Sequence, residues 1–152
     1  MGALGDHTKL VESTGATVTV PFYPVAPEHD HRPAHSFVQG VYAALCTANS
    51  ADRLILMGDS AGGGFALAMA ITARAIGLPR ASRIILFSPW LDLSLKDPAA
   101  LSIEPKDVML GVDALRMCGE WWAGDLATSN PVLSPLADIK AWSLRRKLLG
   151  SD

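Results

Sequence analysis

Cysteine is nearly missing from this chain: of 152 residues, only Cys46 and Cys118 carry a thiol. Both fall in stretches with helical patterning and neither has metal-ligand spacing, which argues against a disulfide framework and predicts buried free thiols. Charge is also sparse, at 18% of residues, with a formal net charge of −2 and a pI of about 6.0. Nothing in that balance recruits nucleic acid, and Arg145-Arg146-Lys147 is too short a run to change it. No stretch reaches the ~18–20 apolar residues that a membrane span requires. Residues 1–7 lack the basic and apolar regions of a secretory signal, so a cytoplasmic protein is expected. Histidine stops early: His7, His29, His31 and His35 are the whole set. The spacing of the last three includes Pro33 and no cysteine, which predicts histidines on a surface loop rather than a metal cluster.

What the chain has in quantity is apolar surface. With 49% hydrophobic residues and no internal repeat, residues 1–152 can be read as a single domain with a substantial core. Residues 6–15 read as a short helix ending at Gly15. Thr17-Val18-Thr19-Val20-Pro21-Phe22 is β-branched and strand-like, with Pro21 limiting its pairing. The proline-rich run from Tyr23 to His29 predicts an ordered loop. Phe37, Val38, Val41, Tyr42 and Leu45 fall on one face of a helix over 34–48. A strand over 53–58 follows, then a helix over about 60–76 that is apolar almost all round until Arg74 and so is expected to be buried. Gly77 and Pro79 stop that helix. Arg83-Ile84-Ile85-Leu86-Phe87 suits a strand of a parallel sheet covered on both faces. A last clear helix spans 112–122; beyond Asn130-Pro131 the pattern weakens, with Leu148-Leu149 a short strand at most. The alternation specifies an α/β domain with a mostly parallel sheet and helices on both faces.

The chemistry concentrates at residues 58–62, Gly-Asp-Ser-Ala-Gly, set between the apolar run Leu54-Ile55-Leu56-Met57 and the helix. Strand, Gly-x-Ser-x-Gly and helix in that order make a nucleophile elbow. Ser60 would stand on a strained turn above the carboxyl end of the sheet, Gly58 and Gly62 would give clearance, and the Ala61 N–H would face developing negative charge. Other glycine turns fit less well. The phosphate-binding Gly-x-x-x-x-Gly-Lys fails because Gly64 stands at the lysine position. The dinucleotide pattern Gly-x-Gly-x-x-Gly fails at Leu67. There remains a chance match, with Ser60 a helix cap and the glycines a packing device.

Three separated blocks carry a resemblance. Tyr23-Pro24-Val25-Ala26-Pro27-Glu28-His29 is similar to a Tyr-x-Leu-Ala-Pro-Glu segment, Gly58-Asp59-Ser60-Ala61-Gly62-Gly63 matches a nucleophile elbow, and Ser88-Pro89-Trp90-Leu91-Asp92 resembles a Ser-Pro-x-x-Asp segment. Asn130-Pro131-Val132-Leu133-Ser134-Pro135-Leu136 looks like a more variable fourth block. Together they resemble the hormone-sensitive-lipase-like branch of the α/β-hydrolase fold, a group of bacterial carboxylesterases. The resemblance implies a serine hydrolase of short-acyl esters, with a small-molecule substrate and no cofactor.

The departures are equally specific. The family carries a His-Gly-Gly-Gly segment upstream of the Tyr-x-Leu-Ala-Pro-Glu block, and this sequence has no His-Gly pair. The family's triad runs Ser, then Asp or Glu, then His, yet all four histidines precede Ser60. Gly150-Ser151-Asp152 looks like the start of the turn that holds the acid, making Asp152 either the acid or its neighbour. The expectation is an α/β-hydrolase domain incomplete at both ends, lacking N-terminal strands and the C-terminal strand and helix. It would be inactive on its own and prone to self-association through exposed sheet edges. A non-catalytic remnant that binds small molecules, or a component completed by another chain, are the competing readings.

Neighbouring residues are assigned bracing roles beside the chemical one. Asp59 could cap the helix start or act in catalysis. Asp92 is expected to fix its loop by hydrogen bonds, and Glu28 to brace the loop near the elbow by accepting from backbone N–H groups. Gly63 belongs to the elbow's packing. Trp90, Trp121 and Trp122 are read as core or cap packing before an acyl pocket. Arg145-Arg146-Lys147 falls where the family runs a central strand, so that strand is expected to be frayed or exposed.

Overall fold

The computed structural model describes residues 3–137. In chain order it contains helices α1 (Ala3–Thr14) and α2 (His31–Ala48), strand β1 (Ile55–Asp59), helix α3 (Ser60–Ala75), strand β2 (Arg83–Phe87), and helices α4 (Pro98–Ile103) and α5 (Val112–Ala123). The strands pair in parallel, Leu56 opposite Ile84 and Asp59 opposite Phe87, with α3 as the crossover between them. Backbone and side chain of Ser82 both donate to the Leu54 carbonyl, at 2.8 and 2.7 Å, which fixes the register where the two strands begin. This is the expected α/β class.

The start of α2 and the segment 17–22 depart furthest from the sequence reading. Helix α2 begins at His31 because Asp30 caps it, accepting from the Arg32 N–H at 2.9 Å. Pro33 then sits in the first turn, where its missing N–H costs nothing. The strand expected over 17–22 is absent among the described residues. Neither β1 nor β2 pairs with that segment, and β-branched side chains make a strand only where a ladder partner accepts the backbone. The readings placed on Arg145–Lys147, Leu148-Leu149 and Asp152 lie outside the described residues.

The core forms where α2, α3 and α5 meet the loops. Ala34, Phe65 and Met69 are buried together, with Tyr23, Val38 and Trp122 packed against them. Leu93, Ala123 and Leu133 form a second cluster, and Trp122 touches this one too. Trp122 therefore joins the cores. Helix α3 is not buried all round: Phe65, Ala68, Met69 and Ala73 form its buried stripe, while Arg74 and Ala75 are exposed. The sheet is likewise covered on one face among the described residues. Ile55, Met57 and Phe87 share the other face and stay 51%, 43% and 54% exposed. Both thiols also depart from the reading as buried groups, Cys46 being half-buried and Cys118 exposed.

The approach of α3 to the strands depends on two glycines. A Cβ at Gly58 would collide with the Gly62 carbonyl, and one at Gly64 would collide with the Trp90 carbonyl. A Cβ at Gly62 meets nothing within 4 Å, so the clearance attributed to Gly62 comes from Gly58 alone. A Cβ at Gly63 would stand 2.9 Å from the Pro89 Cβ, so that approach is tight as well. Gly58→Ala and Gly64→Ala should each lower stability by about 2–3 kcal/mol through overpacking. Gly62→Ala should be neutral or stabilising by about 0.5 kcal/mol, since alanine is the better helix former. Urea midpoints of the three variants check this ordering.

Candidate active site

Ser60 is the first residue of α3, directly after the last residue of β1, and its φ is +51°. For a residue with a side chain that left-handed conformation costs about 1–3 kcal/mol, so the surroundings must hold it. They do so from two sides. Gly58 lets the first turn of α3 fold back onto the strand end, and the Trp90 N–H donates to the Ser60 carbonyl at 2.9 Å. Ser88, at the matching end of β2, is also left-handed, with φ +41°. Ser60 is exposed, and among the described residues its hydroxyl makes no hydrogen bond. Ala61 follows as the second residue of the helix, so its N–H is one of the first-turn donors that the helix itself cannot satisfy.

The flanking carboxylates divide. Asp92 fixes its loop, Oδ1 accepting from the N–H of Ser94 at 2.9 Å and from its hydroxyl at 2.6 Å. Asp59 occupies the cap position of α3, but its side chain makes no capping hydrogen bond and is exposed. The strand continues through Asp59, and the left-handed Ser60 next to it redirects the first helical turn. Glu28 is exposed and makes no hydrogen bond among the described residues, so the expected brace is not formed. Its loop closes instead through the His29 N–H on the Val25 carbonyl, at 3.1 Å.

The comparisons follow the same geometry. A family model described as alpha/beta hydrolase fold matches residues 6–149. An esterase of Acinetobacter venetianus is 31% identical over 144 residues, covering 91% of this chain and 48% of the relative. A triacylglycerol lipase of Mycobacterium tuberculosis is 33% identical over 140 residues, covering 86% of this chain and 26% of the relative. The chain belongs to the alpha/beta hydrolase fold family. Among solved structures, a hormone-sensitive-lipase homologue from a metagenome library superposes with a TM-score of 0.70 at 35% identity, covering 76% of this chain and 40% of its own. An esterase/lipase from an uncultured bacterium reaches a TM-score of 0.79 at 26% identity, covering 90% of this chain and 47% of its own. These place the chain in the hormone-sensitive-lipase-like branch. It spans about half, or less, of the length of each relative.

Within this hydrolase-fold chain the histidines are not where the sequence reading put them. Only His29 stays on an exposed loop; His31 and His35 lie on α2 and are 6% and 8% exposed. Their four-residue spacing, read as a loop, is one turn of a helix face that packs on the aromatic core. His31 Nδ1 lies 3.1 Å from the Trp122 carbonyl. The His35 ring contacts Phe65, centroids 4.8 Å apart, and its Nε2 is buried without a hydrogen-bond partner. None of the four histidines bonds the Ser60 hydroxyl.

Two anchors escaped the sequence reading. One is the Trp90 N–H, a backbone group that no residue pattern reports. The other is Ser134, buried, which accepts from the Leu93 N–H at 2.8 Å and donates to the Thr128 carbonyl at 2.6 Å. The only signal for it was the Asn130–Leu136 block. The tryptophans divide as well: Trp122 is core, Trp90 donates to the Asp92 carbonyl at 2.9 Å, and Trp121 is 44% exposed.

His35 makes the fold sensitive to acid. Burial, with repulsion from His31 added to it, pulls its pKa from 6.5 down to about 4. Between those values the unfolded chain binds a proton that the folded chain refuses, so this contribution to stability is complete above pH 6.5 and falls as the pH drops toward 4. His35→Leu should flatten that part of the decline, seen as a smaller difference between urea midpoints at neutral and mildly acidic pH. An unchanged difference would show that His35 is not held neutral.

Proposed function

We propose that Ser60 is the nucleophile of a serine carboxylic ester hydrolase acting on short-acyl esters. The observation that carries this is the left-handed Ser60 between β1 and α3, held by the Gly58 approach and the Trp90 N–H. A serine pays for such a conformation only where its surroundings over-determine it, and such strain clusters at functional sites. Family membership and the relatives named esterase and lipase support the same reading. In the reaction Ser60 Oγ bonds to the ester carbonyl carbon while a base takes its proton. The Ala61 N–H donates to the resulting oxyanion, and the alcohol leaves as the acyl-enzyme forms. Water then releases the acid.

The base is the missing part. A serine hydroxyl is a weak nucleophile near neutral pH without one, and none of the chain's four histidines bonds the Ser60 hydroxyl. On its own, the chain should hydrolyse p-nitrophenyl butyrate no faster than its Ser60→Ala variant. The nucleophile reading is tested by supplying the rest of the fold. A chimera carrying residues 6–149 in the matching stretch of the Acinetobacter venetianus esterase should turn over that ester, and Ser60→Ala within it should cut kcat/KM at least about 10³-fold. A folded chimera whose activity ignores Ser60 would end this reading.

A second reading, association with another polypeptide, is favoured by one observation: the open sheet face of Ile55, Met57 and Phe87. Apolar surface beside unpaired strand edges promotes pairing between chains. Sedimentation velocity should show oligomers, and Met57→Lys should shift them toward monomer.

A further inference from the structure

Between α4 and α5 the chain makes one tight helical turn, Glu104–Lys106, and then a loop with an apolar tip. Val108 is fully exposed, Met109 is 84% exposed and Leu110 is 45% exposed. Leu101 and Ile103, on the helix leading into the turn, are exposed as well. Single apolar side chains scattered over a surface mean little, but five within ten residues make a patch. The tip is tied down. Asp107 Oδ1 accepts from the N–H of Met109 at 2.9 Å and from that of Leu110 at 3.0 Å. Glu104 Oε1 accepts from the Val112 N–H at 2.7 Å, and the Glu104 carbonyl from the Asp107 N–H at 3.0 Å. These N–H groups are satisfied within the loop, so withdrawing the tip from water strands none of them.

We propose that this loop docks on a zwitterionic phospholipid surface, with Val108, Met109 and Leu110 entering the boundary between headgroups and acyl chains. Area argues against a second protein: three side chains offer well under the ~800 Å² per partner that a stable complex buries. A lipid surface needs no shape-matched counterpart and takes up apolar groups to a shallow depth. Charge selects the kind of lipid. Lys106 and Asp107 flank the tip, both exposed and opposite in sign, and neither joins an ion pair among the described residues. The N–H groups of Met109 and Leu110 hold the Asp107 carboxyl below the usual carboxylate range, so it stays ionised. Lys96 and Asp97, exposed just before α4, repeat the balance of signs. A phosphocholine headgroup offers a phosphate to the ammonium and a quaternary ammonium to the carboxylate. An anionic surface would repel Asp107 as much as it attracted Lys106. The proposal does not depend on Ser60, and its test reads binding rather than hydrolysis.

The test sediments the full chain with vesicles of ether-linked phosphatidylcholine, which has no carboxylic ester to cleave, and repeats this with a share of phosphatidylglycerol added. The chain should partition onto phosphatidylcholine, and Val108→Asp and Met109→Asp should each lower the partition coefficient about 10-fold, the worth of one apolar side chain. Both positions are exposed, and circular dichroism checks that the variants fold; Val108→Ser, which adds no charge, should weaken binding in the same direction. Phosphatidylglycerol should change binding by less than about 2-fold. Met57→Lys, on the open sheet face, should leave it unchanged. No partition onto vesicles, undiminished binding of the tip variants, or loss on Met57→Lys instead would each overturn the proposal. So would a several-fold gain on phosphatidylglycerol, which would mean an anionic surface. Oligomers in lipid-free sedimentation velocity that Val108→Asp disperses would overturn it too, since a second copy would then cover the tip.

Discussion

The approach of α3 to the carboxyl end of β1 at Gly58 governs the rest of the structure. Because Gly58 has no side chain, the Gly62 carbonyl can occupy the space where a Cβ would stand, and the helix can start immediately after the strand. That tight start forces the chain through a left-handed residue, and Ser60 is the one that takes it. One turn later Gly64 admits the Trp90 backbone, which brings the Trp90 N–H onto the Ser60 carbonyl. The Trp90 indole then reaches the Asp92 carbonyl, whose residue ties down Ser94. A single close contact thus organises the loop after β2 as well as the turn before α3.

Elements defined by long apolar runs were legible in the sequence. Strand β2 lies at the residues read for it, and α5 extends only one residue further than expected, because their patterns need no information from outside the segment. The elbow was legible for a related reason: glycine, serine and glycine between strand and helix leave few conformations. The segment 17–22 was misread because strand propensity describes a side chain's fit to a ladder, and no ladder reaches it among the described residues. The histidines were misread through one boundary. With Asp30 as the cap, His31 and His35 become neighbours on a buried helix face rather than points on a loop.

The roles of individual glycines and carboxylates were less legible, since they depend on which backbone atoms approach. Both Gly58 and Gly62 satisfy the motif, yet only the first leaves no room for a side chain. Asp59 and Glu28 have the chemistry to cap or brace, and neither does. Asp92, with the same chemistry, fixes its loop because Ser94 lies two residues on and offers two donors to one oxygen. Side-chain chemistry sets what a residue can do; the local path of the backbone selects which of these it does.

Positioning and activation of the serine are separable in this fold. Among the described residues, the contacts that hold Ser60 in its strained conformation come from β1, α3 and residues 88–90, all within the stretch from Ile55 to Trp90. A base would contribute nothing to that geometry: it would touch only the hydroxyl, which is exposed and unbonded among the described residues. The strain of about 1–3 kcal/mol at Ser60 is therefore met by backbone packing and one hydrogen bond, whether or not an imidazole is present. A nucleophile's turn can consequently persist in a chain none of whose histidines bonds the serine. The geometry of Ser60 is evidence about how this segment folds and what chemistry it suits, while the rate at which the serine reacts is set by groups that the turn does not supply.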